Sequence, residues 1–168
     1  VFKLLLKYYS IERDMIYINN IDINDLTIYD VRNNITCLSQ NEFLYNDTIK
    51  NNIIMGRNID DNEFIEICRI ACVDEFVKNM FLGYDTMLEE NGLNLSGGQR
   101  QRIMLARMLL KKAKFILIDE GLNAVDINLE RRILKNIFSK YYDSTIVVIS
   151  HRIENLDLFN KVIHFKEG

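Results

Sequence analysis

Two short, uninterrupted apolar runs, Phe115–Ile118 and Ile146–Ile149 (the latter in a strand Thr145–Ile149), flank an amphipathic pattern over Asn128–Ser139. A strand apolar at every position needs cover on both faces. Strand, helix, strand at this spacing is the pattern of a parallel sheet packed between helices. That alone limits the chain to an α/β architecture. It also says where chemistry would sit, because active groups in open parallel sheets lie just beyond the carboxyl ends of the strands.

Both runs end in polar residues with chemical capacity. Phe115–Ile118 runs into Asp119-Glu120, and Thr145–Ile149 into Ser150-His151. A carboxylate in the place of Asp119 can hold Mg²⁺, and Glu120, directed differently, can polarise an attacking water as a general base. An imidazole at His151 can bond to a phosphate oxygen and hold that water in line with Glu120. Two acids at a strand end and a surface histidine are also ordinary features, so the weight lies in their combination.

A further strand, Ile35–Leu38, ends at Ser39-Gln40, where Gln40 can reach a metal or the water. Upstream of Phe115, Leu95-Ser96-Gly97-Gly98-Gln99 leads into a helix that extends to about Lys111. Paired glycines allow a tight turn and close backbone approach. Ser96 and the free N–H groups of the first helical turn make an anion site, and Gln99 can bond to the bound group. Asp126, after Asn123-Ala124-Val125, either shapes the loop beyond Glu120 or only opens the next helix.

The rest of the chain reads more plainly. Residues 2–9 are predicted to be helical. Met15–Ile18 and Ile21–Ile23 are extended pieces about a turn at Asn19-Asn20. Asp25–Val31 holds a turn of helix, and helices follow over Asp47–Ile54 and Asp60–Cys72. Val73–Met80 continues helically after a break near Cys72–Asp74, Gly83 ends it, and 84–94 is loop. A short helix at Ile153–Leu158 and a last strand at Val162–Phe165 complete the pattern.

Composition restricts the function classes. The 168 residues are 48% hydrophobic, enough for one sizeable core. A net charge of −3 speaks against a nucleic-acid partner. No run of about 18 apolar residues offers a membrane span. The three cysteines, Cys37, Cys68 and Cys72, give no disulfide framework. Cys68 and Cys72, four apart, are expected on one helix face as packing groups, with reduced thiols.

Taken together, these segments resemble the nucleotide-binding domain of an ATP-binding cassette transporter over essentially the whole chain. Leu95–Gln99 matches the family's signature motif without departure. Phe115–Asp119 with Glu120 resembles the Walker B strand and catalytic glutamate, Gln40 the Q-loop, and Ser150-His151 the switch-histidine loop. Asn123-Ala124-Val125-Asp126 is similar to the D-loop, commonly Ser-Ala-Leu-Asp, from which Asn123 and Val125 depart. Phe43-Leu44-Tyr45, Thr48–Ile53, Gly83–Thr86 and Glu90–Asn94 resemble exporters, although Glu89 stands where those proteins usually have Gly. Bacterial exporters of peptides, including bacteriocins, are the nearest likeness.

The resemblance implies a P-loop NTPase-like, mostly parallel sheet flanked by helices. Residues 1–40 and 100–168 would form the α/β core, and 41–99 a mainly helical subdomain. It implies ATP and Mg²⁺ as ligands, with Asp119 and Gln40 toward the metal, and Glu120 and His151 as the catalytic pair. Gln40, Leu95, Ser96, Gly97, Gly98, Gln99 and Asp126 would bind nucleotide. A second nucleotide-binding domain in a head-to-tail dimer and a fused or associated transmembrane domain are the implied partners, at the cytoplasmic face of the cell membrane.

The 168 residues contain no Gly-x-x-x-x-Gly-Lys-Ser/Thr loop. The resemblance places that loop immediately before Val1 and the adenine-stacking aromatic further upstream, so the N-terminal strands are expected to be missing and the chain alone nearly inactive. The competing readings are a DNA-repair or translation ATPase of related type and a non-catalytic interaction module. Repair ATPases separate their halves with long coiled coil, and no such pattern lies between Gln40 and Leu95.

Overall fold

The computed structural model describes residues 2–39 and 43–164. The chain opens with a short helix α1 (Phe2–Leu5) and a hairpin, β1 (Tyr17–Ile18) with β2 (Ile21–Asp22). Asn19 and Asn20 between them both take positive φ, 49° and 64°. A two-residue hairpin whose twist matches its strands requires that conformation, which Asn tolerates well. Helix α2 (Ile28–Asn34) starts at a capping box between Thr27 and Asp30 and leads directly into β3 (Ile35–Leu38).

A helical region follows, with α3 (Ile49–Ile54), α4 (Asp61–Ile70) and α5 (Asp74–Val77). Thr48 caps α3 by accepting from the Asn51 amide, and Asp60 caps α4 through the Asn62 and Glu63 amides. Buried Asn52 is satisfied by the loop before α3: its amide accepts from Tyr45 N–H and donates to the Tyr45, Asp47 and Thr48 carbonyls. The long α6 (Gly97–Leu109) then crosses to β4 (Phe115–Asp119), α7 (Ile127–Lys140) and β5 (Thr145–Ile149). From α6, Arg107 donates to the Phe43 and Asn52 carbonyls and ties this region to the sheet side.

The parallel sheet has the order β3-β4-β5, with Leu38 opposite Ile118 and Asp119 opposite Ile149. Successive side chains of the central β4 point to opposite faces. Ile116 and Ile118 join the large core with Leu38, Ile103, Leu105, Ile133 and Ile137. Leu117 joins a second core of Phe2, Ile23, Val31 and Ile35. The expected two-sided burial is therefore present at β4, while Val147 and Ile149 of β5 stay exposed.

Several expectations need correction. The helix expected within Asp25–Val31 lies at Ile28–Asn34, because Thr27 supplies the cap, and Ile23–Asp25 is only a 3-10 turn. The helix expected over residues 2–9 stops at Leu5, with Lys7 at positive φ, and that over Val73–Met80 keeps only Asp74–Val77 before loosening into turns. The expected loop 84–94 overlaps one 3-10 turn at Gly83–Asp85 and contains another at Glu90–Gly92. Ile153–Leu158 holds only the 3-10 turn Leu156–Leu158. Val162–His164 form no strand, since they join no ladder that could take up their backbone groups, and Phe165 lies outside the described residues. Cys72 is not on the Cys68 helix: α4 ends at Ile70 and Cys72 has φ 55°. Both thiols are nevertheless buried, and burial pushes the Cys68 thiol up to about 12.

Candidate functional site

The carboxyl ends of β4 and β5 deliver the polar residues together. Asp119 closes β4, half-buried, opposite Ile149. Glu120 leaves the sheet in a left-handed conformation, φ 53°, and its N–H donates to the Ile149 carbonyl at 3.0 Å. A residue with a Cβ pays about 1–2 kcal/mol for that conformation, and the result is a side chain turned off the strand direction. His151, just past β5, meets it: His151 Nε2 lies 2.6 Å from Glu120 Oε1. On the other side Asn123 Nδ2 donates to Glu120 Oε2 at 2.9 Å. The ladder of β4 and β5 thus brings Asp119, Glu120 and His151 to one edge, as the sequence predicted.

The tight path of the turn after Glu120 has a steric cause. A Cβ on Gly121 would sit 2.3 Å from Leu38 Cδ2 and 2.6 Å from its Cγ. The end of β3 therefore packs directly against the chain just beyond the acidic pair.

The Ser96–Gln99 turn is a complete capping box. Ser96 Oγ accepts from the Gln99 N–H at 3.2 Å, and Gln99 Oε1 accepts from the Ser96 N–H at 2.8 Å. Ser96 is exposed, with Gly97 and Gly98 half-buried behind it. Gly98 is required by contact, because a Cβ there would stand 2.9 Å from the Ala124 carbonyl oxygen. Gln101 Oε1 accepts the Ala124 N–H at 2.8 Å. The start of α6 is thereby fastened to the turn that descends from Glu120.

Other predicted residues have more structural surroundings. Leu95 is in the core, and its carbonyl accepts from Arg100, so its side chain faces apolar neighbours. Asp126 caps α7 by accepting from the Leu129 N–H at 3.0 Å, the helix-entry alternative. Gln40 lies outside the described residues; β3, which leads to it, runs parallel beside β4.

Three residues of the site escaped the sequence reading. Arg152 Nη1 donates to the Val125 carbonyl at 2.7 Å and to Glu130 Oε2 at 2.5 Å, and its Nη2 to the Asn123 carbonyl at 2.6 Å. Glu130, on α7, is buried, and Gln101 follows the signature by two positions. Only their nearness to motifs hinted at them, since their partners are backbone groups or, for Arg152 and Glu130, each other across 22 residues, which sequence does not mark.

A divalent cation fits the donor set in one way. Mg²⁺ is held by one or two carboxylates with the remaining positions left to waters and substrate phosphates, and half-buried Asp119 at the strand end offers one such oxygen ligand. Among the described residues no group of three or more His, Cys, Asp and Glu could form a protein-only metal site.

Comparison with known proteins bears on the family of the chain. The ABC transporter family profile matches residues 1–123. An ATP-dependent lipid A-core flippase of Legionella pneumophila (strain Paris) is 37% identical over 98% of the chain, which spans 28% of that protein. P-glycoprotein 14 of Caenorhabditis elegans is 33% identical over 98% of the chain and 12% of its own length. The structure of a bacterial Atm1-family ABC exporter with ATP bound superposes with a TM-score of 0.84, at 33% identity, over 92% of this chain and 27% of that one. The chain thus corresponds to a minor part of each relative's length, and by the extent of these matches it belongs to the ABC transporter family.

Proposed function

We propose that this chain is part of an ATP-hydrolysing domain that powers export across a membrane. The observation that carries the reading is the contact of His151 with Glu120 beside Asp119, at the carboxyl edge of a parallel sheet fastened to the Ser96–Gln99 turn. In the proposed division, 1–40 and 100–168 form the α/β core and 41–99 a mainly helical subdomain.

In this mechanism Glu120 accepts a proton from water as the water oxygen bonds to the γ-phosphorus of ATP, the bond from that phosphorus to the β–γ bridging oxygen breaks, and ADP leaves beside inorganic phosphate. His151 holds the carboxylate through Oε1 and presents its imidazole toward the terminal phosphate. Asp119 would hold Mg²⁺, which when bound offsets charge on the phosphate oxygens. The start of α6 serves a second nucleotide. The Ser96 hydroxyl, already accepting from Gln99, keeps its own hydrogen to donate, and the Gly97 and Gly98 N–H groups stand at the positive end of the helix dipole. A second cassette, head to tail, would bring its bound ATP to this turn. Gln40 is proposed to sense the metal or the water and pass the change to a transmembrane partner, which places the site at the cytoplasmic face of the cell membrane.

The 168 residues supply no phosphate-gripping lysine loop. On its own the chain is expected to turn over ATP at background rate, and the full-length protein at a rate abolished by Glu120→Gln. Measured phosphate release from both preparations tests the reading. Wild-type turnover in the full-length Glu120→Gln variant overturns it.

Export of peptides is the finer proposal. Relatives of similar identity bear names as different as a lipid A-core flippase and a P-glycoprotein, so the residues of this chain do not separate cargo classes. Uptake of a labelled peptide into inverted membrane vesicles is the test, and vesicles that take up lipid but no peptide refute it.

A further inference from the structure

We propose that Asn123 is a positioning residue for Glu120, holding the carboxylate by its second oxygen while His151 holds the first. The inference rests on the reading of Glu120 as the general base.

Glu120 sits at φ 53°, outside both strand and helix, so no regular element aims its side chain. One hydrogen bond to one carboxylate oxygen leaves the group free to swing about that oxygen. Here two bonds arrive from separate segments, His151 on Oε1 at 2.6 Å and Asn123 Nδ2 on Oε2 at 2.9 Å. Together they fix both the position and the plane of the carboxylate.

Asn123 can do this because its own backbone is held. Its N–H donates to the Glu120 carbonyl at 3.3 Å, closing the turn. Its carbonyl accepts from Arg152 at 2.6 Å, and Arg152 is anchored on buried Glu130 and the Val125 carbonyl. The neighbouring Ala124 N–H is bound by Gln101 of α6. Asn123 thus stands directly between the base and the Ala124 amide that α6 holds.

Asn rather than Ser matters at this position. The amide nitrogen stands one bond further from the backbone than a hydroxyl would, and it is a donor that cannot ionise. The side chain is exposed, so its loss opens no cavity in the core.

The test uses the full-length protein with three variants, Asn123→Ala, Asn123→Asp and Glu120→Gln. Asn123→Asp keeps the shape and removes the donor. Both Asn123 variants are expected to lower kcat for ATP hydrolysis about tenfold or more, a loss of the size that small misplacements of a reacting group produce. KM for ATP and the thermal unfolding midpoint stay at wild type. Asn123→Asp falls at least as far as Asn123→Ala, which a role of shape alone does not produce. Wild-type kcat in Asn123→Asp, or a kcat loss that merely follows a lower unfolding midpoint, overturns the proposal. If Glu120→Gln abolishes turnover while the Asn123 variants are fully active, Asn123 alone is wrongly assigned. Should Glu120→Gln itself stay active, the general-base reading fails and this inference with it.

Discussion

His151 Nε2 and Glu120 Oε1 approach to 2.6 Å although they leave different strands. Their meeting follows from the β4–β5 register, which sets Asp119 opposite Ile149 and puts the next residues of both strands on the same edge. In the full-length protein, His151→Ala is expected to reduce the ATP hydrolysis rate by about 10²–10⁴-fold, the range of a positioned acid–base group. Binding of nucleotide is expected to persist, since neither residue grips the β-phosphate in this mechanism. Single-turnover phosphate release beside equilibrium nucleotide binding measures the two separately.

Arg152 and Glu130 form a largely buried pair at 2.5 Å, with the Glu130 side chain 5% exposed. Removing one partner strands the other. Arg152→Ala is expected to cost about 3 kcal/mol of stability, because the carboxylate is left buried and unpaired. A double variant, Arg152→Met with Glu130→Leu, is expected to recover most of that loss. Denaturant unfolding of the wild type, Arg152→Met, Glu130→Leu and the double variant gives the comparison, and additive losses of the two single changes would contradict the pairing.

Gly121 has no space for a methyl group. Gly121→Ala drives a Cβ into Leu38, and overpacking of this kind costs about 1–3 kcal/mol. Since Leu38 is buried at the end of β3, the strain is expected to be relieved in part by Leu38→Ala. That double variant should be more stable than the sum of the single changes predicts. Equal stability of Gly121→Ala and wild type, measured by urea titration, refutes the contact.

Burial raises the Cys68 thiol from 9.0 to about 12. The folded protein therefore retains a proton that the unfolded chain loses. The stabilisation is whole below about pH 9 and fades as pH rises toward 12, because the unfolded state binds fewer protons across that interval. The unfolding midpoint is expected to fall across this window, with a shallower slope in Cys68→Val. Thiol labelling of the native protein at neutral pH should spare Cys68 and Cys72, both buried.

Much of the architecture was legible in the residues. Ile35–Leu38 and Thr145–Ile149 appear as strands with the predicted bounds, and Ser96 caps α6. Apolar runs and capping side chains are local signals, and nothing distant contradicts them here. Val162–His164 show the limit: the apolar run is present, but a strand requires a partner edge. Cys72 is similar. Its spacing from Cys68 suggests one helix, yet the chain leaves the helix at Ile70 and turns through positive φ.

The amino-acid order by itself determined the strands of the parallel sheet, the main capped helices, the motifs and which residues end the strands, because periodicity, caps and glycine placement act over a few neighbours. Tertiary structure alone decided that His151 meets Glu120, that Arg152 finds Glu130, and that Gln101 binds the Ala124 amide. Those contacts depend on strand register and on the seat of α6 against the turn at Asn123–Val125. Both are set by packing between segments far apart in the chain, which no local pattern encodes.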